Sequence, residues 1–467
     1  MEYGFLTLLP PIIAILLAIR TKQVIISLTF GLFIGWTIIS SFNPFLGLLA
    51  TIEGFVGVFK NEGNTRTVIF TLLIGVLIQL IKSSGGIEGF IQSMKVYLGN
   101  SSNNKNKIQV GAALTGFLIF IESNISILTV GTIFQPLFNK YGISKAKLAY
   151  IADSSSAPSC ILFPVNAWGA YIIGLLSIYE GIAPFSVLVS SIAFNLYPIL
   201  TLIFVFFIAS SNKSFGAMKK YENREVIISD KEESVSDGDA KDMVLPLLAM
   251  IISMPVFLIY TGWTDTEGHL IDNLWNAISN ASGSSAVLYA VSLGIIFTVL
   301  LYGIKGKITI KSFISTSFKG MNEMLEMAIL MVMAFSLGAL CKELGTGEYV
   351  AFITKSWLSP AFAPALLFLI SCFIAFSTGT SWGTFAIMIS IAVPLAQQLD
   401  MNISLAVAAV LGGGVFGDHC SPISDTTLIA SMASGVDHID HVRTQLPYAL
   451  FTGSLAFILY LIVGFTM

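Results

Sequence analysis

The sequence predicts an all-α polytopic membrane protein built from two inverted-topology repeats, with about ten transmembrane helices, two re-entrant hairpins and two broken helices. Three observations lead there. The 467-residue chain is 55% hydrophobic and only 11% charged, with a mean hydropathy of +0.83, which is more apolar surface than one soluble core can hide. Apolar runs long enough to cross roughly 30 Å of hydrocarbon recur along its length. Finally, polar, helix-breaking text sits inside apolar surroundings once in each half. FIESN (Phe120 to Asn124), Pro136 and DSSSAP (Asp153 to Pro158) are matched by FSTGTS (Phe376 to Ser381), Pro394 and GDHCSPISDTT (Gly417 to Thr427).

Taken in order, the spans fall at 5–20, 23–41, 67–82, 146–179 and 185–209 in the first half, and at 243–260, 284–303, 326–342, 402–434 and 444–466 in the second. The opening run has no basic leader and no small-residue cleavage site, so it reads as a first span and not a removable signal. The stretches 108–138 and 363–398 are too long for one crossing and are interrupted by ESN and STGTS, so each reads as a hairpin entering and leaving on one side. In 146–179 and 402–434, Pro158 and Pro422 are expected to mark the unwound points, because proline removes a backbone donor. Residues 211–242 hold eight acids and six bases with little apolar text, a solvated linker. The domains are then a first repeat at 1–210, a hydrophilic cytoplasmic linker at 211–242 and an inverted second repeat at 243–467.

Charge orients this arrangement, because short cytoplasmic loops collect Lys and Arg. With both termini outside, twenty of the 24 basic residues fall inside, leaving Lys60, Arg66, Lys342 and Lys355 outside. An odd number of spans per half turns the second repeat upside down. A net charge of −3 offers no basic domain for nucleic acid, and the four cysteines show no CxxC spacing for zinc.

The candidate site follows from cost. A charge at bilayer depth is expensive, and irregular backbone is tolerated there only where it lines a cavity or is buried in protein. Glu122 sits at the first hairpin's break, Asp153 in the first broken span, and Asp418, His419 and Asp425 in the second. Around them stand oxygen donors: Ser123, Asn124, Ser154, Ser155 and Ser156 in one half, and Ser377, Thr378, Thr380, Ser421, Ser424 and Thr426 in the other. Such shells suit a small hard cation, and no Lys or Arg lies in these breaks to balance the acids. The expectation is a pocket that sodium and protons occupy in turn, with sodium at Asp153, Asp418 and Asp425. Asp153 and Asp425 could instead cap restarting half-helices. Adjacent Asp418 and His419 can pass protons, whereas His438, Asp440 and His441 read as a solvated cytoplasmic loop.

GDHCSPISDTT closely resembles the signature of the NhaC family of sodium/proton antiporters, and DSSSAP fits the same family. The resemblance implies secondary active exchange of sodium for protons in a bacterial inner membrane, a multi-pass chain with no enzymatic turnover and no cofactor beyond the transported ions. The chain is also similar to a wider ion-transporter superfamily with two hairpins and two broken helices. The runner-up is a sodium- and proton-coupled exchanger of organic acids such as malate and lactate. A homodimer suits such folds, although no interface is legible in the sequence.

Overall fold

The computed structural model describes residues 3–466 apart from 22, 100–104, 121, 165, 212, 223–237, 264–272, 274–276, 278–280, 347–348, 350–351 and 354–358. Half of the expected linker therefore lies outside the described residues. Everything described is helix or connection, with no strand. The first half runs α1 (Leu9–Thr21), α2 (Val24–Ile39), α3 (Pro44–Val58), α4 (Glu62–Ser83), α5 (Gly86–Gly99), α6 (Lys105–Leu118), α7 (Ser123–Lys140), α8 (Lys145–Leu162), α9 (Ala167–Leu176), α10 (Pro184–Ile192), α11 (Leu196–Ser211) and α12 (Gly216–Glu222). The second runs α13 (Lys241–Gly262), α14 (Gly283–Ile304), α15 (Ile310–Glu323), α16 (Leu325–Glu343), α17 (Ala363–Thr378), α18 (Ser381–Gln398), α19 (Ile403–Cys420), α20 (Asp425–Ser434) and α21 (His438–Thr466).

Among the described residues, eight helices are long and apolar enough to cross a bilayer, or up to ten if each of two bent pairs counts as one span. The expected first span, 5–20, is represented by a shorter apolar helix. Among the described helices, α3, α5, α12 and α15 lie outside the expected spans. α3 follows α2 at a 120° bend, and Asn43 caps it by accepting from Phe45 N and Leu46 N ahead of Pro44.

The duplication is written in the helix boundaries. α6, α7, α8 and α9 each start 258 residues before α17, α18, α19 and α20 respectively. Pro136 and Pro394 share that offset. The two central helices are α8 and α19. Every residue from Ala146 to Ile161 is buried, as is α19 from Ser404 to Cys420 apart from Phe416. A helix buried all round needs no polar face, so polar residues on it require another explanation.

This register corrects the sequence reading of the first broken span. α8 runs unbroken through Asp153 and past Pro158, and the break falls at Phe163 to Asn166. A proline within a helix removes one N–H, and here the helix continues, so Pro158 frees the Ser154 carbonyl from its helical bond without unwinding the turn. The equivalent of Pro422 is Pro164, 258 residues earlier. The second break, Ser421 to Ser424, lies where it was expected.

In each half the break is tied to the hairpin tip. Asn166 Nδ2 donates to Phe120 O at 2.7 Å and to Cys160 O at 2.7 Å, while Ser421 Oγ donates to Phe376 O at 2.8 Å. α17 and α19 pack closely because Gly413 and Gly417 face Phe368 O and Cys372 O, where a side chain would collide with backbone.

Ion pairs sit at helix ends. Asp242 is fully buried and receives Lys305 at 2.6 Å and Lys307 at 2.5 Å, and Lys307 also donates to Ser84 O at 3.1 Å. Hydrogen bonds to Asp242 and then Asp239 hold the Lys305 ammonium above its usual range. At the start of α8, buried Lys147 pairs with Glu222 of α12 at 3.3 Å, so part of the linker docks on the transmembrane core.

Candidate functional site

The centre of the site is Asp153, wholly buried on α8 and surrounded by residues from the other half of the chain. Gln445, on α21, donates from Nε2 to Asp153 Oδ2 at 2.6 Å and to His419 O at 2.8 Å. His419 Nε2 lies 3.2 Å from the Asp153 carbonyl and 3.5 Å from Oδ1. A carbonyl only accepts, so Nε2 carries the proton, and Nδ1 is left to meet Tyr197 OH at 3.2 Å. His441 Nε2 lies 3.5 Å from Asp153 Oδ2, and neither ring nitrogen of His441 makes a hydrogen bond. Asp153 Oδ1 and Gln445 Oε1 are also buried without a hydrogen-bond partner.

Asp418 forms a second focus on the last turn of α19. Its Oδ2 accepts from Ser381 Oγ at 2.7 Å, where Ser381 opens the second arm of the second hairpin, and its Oδ1 has no hydrogen-bond partner. The C-terminal end of a helix carries partial negative charge, so a carboxylate there is disfavoured unless a positive charge comes to it. Asp425 sits at the opposite polarity, in the first turn of α20, with Oδ1 accepting from Thr426 N at 3.0 Å. It is exposed and stands inside the helix, since Ser424 is the N-cap, and it accepts only from the next residue's N–H, so its side chain does not have capping geometry.

Glu122, by contrast, is a cap. Its two carboxylate oxygens accept from Asn124 N at 3.0 Å and Ile125 N at 2.8 Å, at the start of α7. The equivalent position in the second half, Thr380, has the same extended backbone and no side-chain cap.

The supporting hydroxyls are mostly engaged with their own helices. Ser155 Oγ donates to Ile151 O, Thr378 Oγ1 to Ile374 O, Ser156 pairs with Ser126 at 2.7 Å, and Ser424 pairs with Thr426 at 3.0 Å. Ser123 and Ser154 are buried, Ser377 and Thr380 half-buried, and Asn124 Oδ1 is buried with no hydrogen-bond partner. The structure thus divides the candidate residues. Asp153 and His419 meet directly across the halves, Asp418 joins the second hairpin tip, and Glu122 and Asp425 flank them as helix starts. Among the described residues, no three His, Cys, Asp or Glu side chains converge as one metal cage.

Two residues of the centre escaped the sequence reading. His441, expected in a solvated loop, is buried inside α21, and Gln445 follows one turn later. The signal was present: His441, Gln445, Tyr448 and Thr452 lie at helical spacing in an otherwise apolar span, while Asp440 and Arg443 fall off that stripe. His438 is likewise no free loop residue, since its Nε2 lies 2.7 Å from Pro422 O at the second break and its Nδ1 3.1 Å from Ser431 Oγ. Among the described residues, no Lys or Arg forms an ion pair with Asp153, Asp418, Asp425 or Glu122.

Comparison with known proteins places this arrangement. An uncharacterized protein of Haemophilus influenzae is 33% identical over 98% of this chain and 91% of its own length. The malate-2H(+)/Na(+)-lactate antiporter of Bacillus subtilis is 30% identical over 36% of each chain. The Na(+)/H(+) antiporter NhaC of Alkalihalophilus pseudofirmus is 32% identical over 26% of each chain. The YdaH transporter of Alcanivorax borkumensis shares the fold, with a TM-score of 0.64 at 14% identity, covering 90% of this chain and 89% of its own. The profile of the Na+/H+ antiporter family matches residues 159–465, a stretch holding both breaks and the GDHCSPISDTT string. On that match and the end-to-end relative, the chain belongs to the Na+/H+ antiporter family, of NhaC type.

Proposed function

We propose that this protein is a secondary active transporter that exchanges sodium for protons across the cytoplasmic membrane, through competition at Asp153 and Asp418. The observation that carries this reading is the pair of buried carboxylates, each with one oxygen lacking a hydrogen-bond partner and neither paired with a Lys or Arg among the described residues. A buried charge left in that state is costly, and either a proton or a small cation relieves it. One carboxylate cannot hold both at full strength, so loading one ion favours release of the other. The contact between Asp153 of the first repeat and His419 and Gln445 of the second supports an exchange site that relative motion of the repeats would open and close. In this reading the repeats are residues 1–210 and 243–467, joined by the cytoplasmic linker 211–242.

The similarity to the malate-2H(+)/Na(+)-lactate antiporter keeps one second reading, coupling to an organic acid. One experiment separates the two. In everted vesicles carrying a pH gradient, sodium or lithium added without organic solute dissipates the gradient if the exchange is sodium for protons. Dissipation only on addition of malate or lactate would establish the second reading instead.

A further inference from the structure

Gln445 is a neutral polar side chain that touches both Asp153 and His419, and the direction of its amide is dictated by its neighbours. Nε2 faces Asp153 Oδ2 at 2.6 Å and the His419 carbonyl at 2.8 Å, and both of these atoms can only accept. The NH2 group must therefore point at them, which leaves Oε1 directed elsewhere. That oxygen is buried on a residue only 1% exposed and has no donor. The remaining oxygen of Asp153, Oδ1, has no hydrogen-bond donor either, and it belongs to the carboxylate that Gln445 grips. Two unsatisfied oxygens thus belong to a pair of buried side chains joined by one hydrogen bond, one oxygen charged and one neutral. Leaving such acceptors empty is expensive, and a hard monovalent cation satisfies both at once.

We propose that Gln445 is a direct ligand of the transported cation, its amide oxygen pairing with Asp153 Oδ1 to form a site shared by both halves, and that Gln445 sets which monovalent cation the site accepts. This rests on the sodium/proton reading above and adds to it a ligand on α21, outside both hairpins and both broken spans. One carboxylate with neutral oxygens matches a single positive charge, whereas several carboxylates would favour a divalent ion. The same amide also fixes the position of Asp153, so a positioning role must be distinguished from ligation. Selectivity separates them, because a misplaced carboxylate weakens binding of every cation, while a lost ligand changes the ranking of cations that differ in size.

The test uses the purified full-length protein in liposomes, reading proton efflux against added sodium and, separately, lithium. Gln445→Leu removes the amide oxygen, and Gln445→Glu keeps an oxygen at the same reach while removing the N–H donors. The expected result is that Gln445→Leu raises half-saturating sodium by about tenfold and changes the sodium-to-lithium ratio, with turnover at saturating sodium retained. Gln445→Glu is expected to stay nearer the wild-type half-saturation for sodium. An unchanged ratio in Gln445→Leu, or Gln445→Glu failing as badly as Gln445→Leu, overturns the ligand assignment. Should Gln445→Leu not insert, Gln445→Ala, which also lacks the amide oxygen, decides, and a sodium-to-lithium ratio equal to the wild type there rejects the proposal. If wild-type protein shows no sodium- or lithium-driven proton flux at all, the exchange reading fails first and takes this inference with it.

Discussion

Asp153, buried, and Glu122, half-buried, are both acids of the first half, yet their surroundings differ in kind. Both oxygens of Glu122 accept N–H groups at the start of α7, so its charge is answered by backbone. Asp153 has one oxygen answered by Gln445 and one left open. Replacing Asp153 with Asn keeps the shape and removes the charge, and sodium-driven proton flux should fall to background while the protein still inserts. Asp418→Asn should do the same, because its amide cannot offset a cation at the end of α19. Full flux in both variants would reject the carboxylate assignment. Glu122→Gln should behave differently: a single amide oxygen replaces two acceptors, so the expected loss is about 1 kcal/mol of stability, seen as a lower melting temperature in detergent, with half-saturating sodium unchanged. A clear shift in sodium affinity there would return Glu122 to the cation site. The acids themselves were legible in the sequence because charge in apolar text is conspicuous. Their division into caps and open carboxylates was not, since capping depends on which backbone N–H groups a side chain happens to face. His441 and Gln445 were legible only as a polar stripe on a helix, and the cluster His438, Asp440, His441 disguised the start of α21 as a loop.

At the scale of the helix, the repeat offset carried more information than the motifs. Applied from Pro394 and Pro136, the offset of 258 points from Pro422 to Pro164 and so to the true first break. The motif reading instead matched DSSSAP with GDHCSP by their likeness in polarity, and polarity is not conserved between the repeats. Asp153 stands opposite Leu411 and Asp418 opposite Cys160 at that offset. The backbone is duplicated while the charge is not, so the site is asymmetric although its scaffold is symmetric. Close packing is what the scaffold demands of sequence. Gly417 faces Cys372 O and the Ala375 side chain, and no neighbouring flexible group can yield to a larger residue. Gly417→Leu should push α19 away from α17 and carry Asp418 off Ser381. Transport should be lost together with a lowered melting temperature, an overpacking cost of roughly 1–3 kcal/mol. A variant with normal melting and normal flux would show that this crossing does not position Asp418.

Across the whole molecule, ion pairs sort the helix ends into two groups that agree with the distribution of basic residues along the chain. Lys82 pairs with Glu323, Lys305 and Lys307 with Asp242, and Lys147 with Glu222, and these are all segments that the charge pattern assigns to the cytoplasmic side. Lys342 pairs with Glu180, and both belong to segments assigned to the opposite side. A topology error of one span between Lys82 and Lys342 would place partners on opposite faces of the bilayer, and a salt bridge cannot cross it. This supports the proposal that both termini face outward and that the second repeat is inverted relative to the first. Fusions test it directly. Alkaline phosphatase, active only outside the cytoplasmic membrane, should be active when joined after Met467 and inactive when joined within the linker at Gly216, whereas a cytoplasmic fluorescent reporter should show the reverse. Phosphatase activity at Gly216 would place the Lys147–Glu222 pair outside and overturn the orientation. Activity at neither point would put the C-terminus inside, remove the odd number of crossings in the second half, and with it the inversion on which exchange at a shared centre depends.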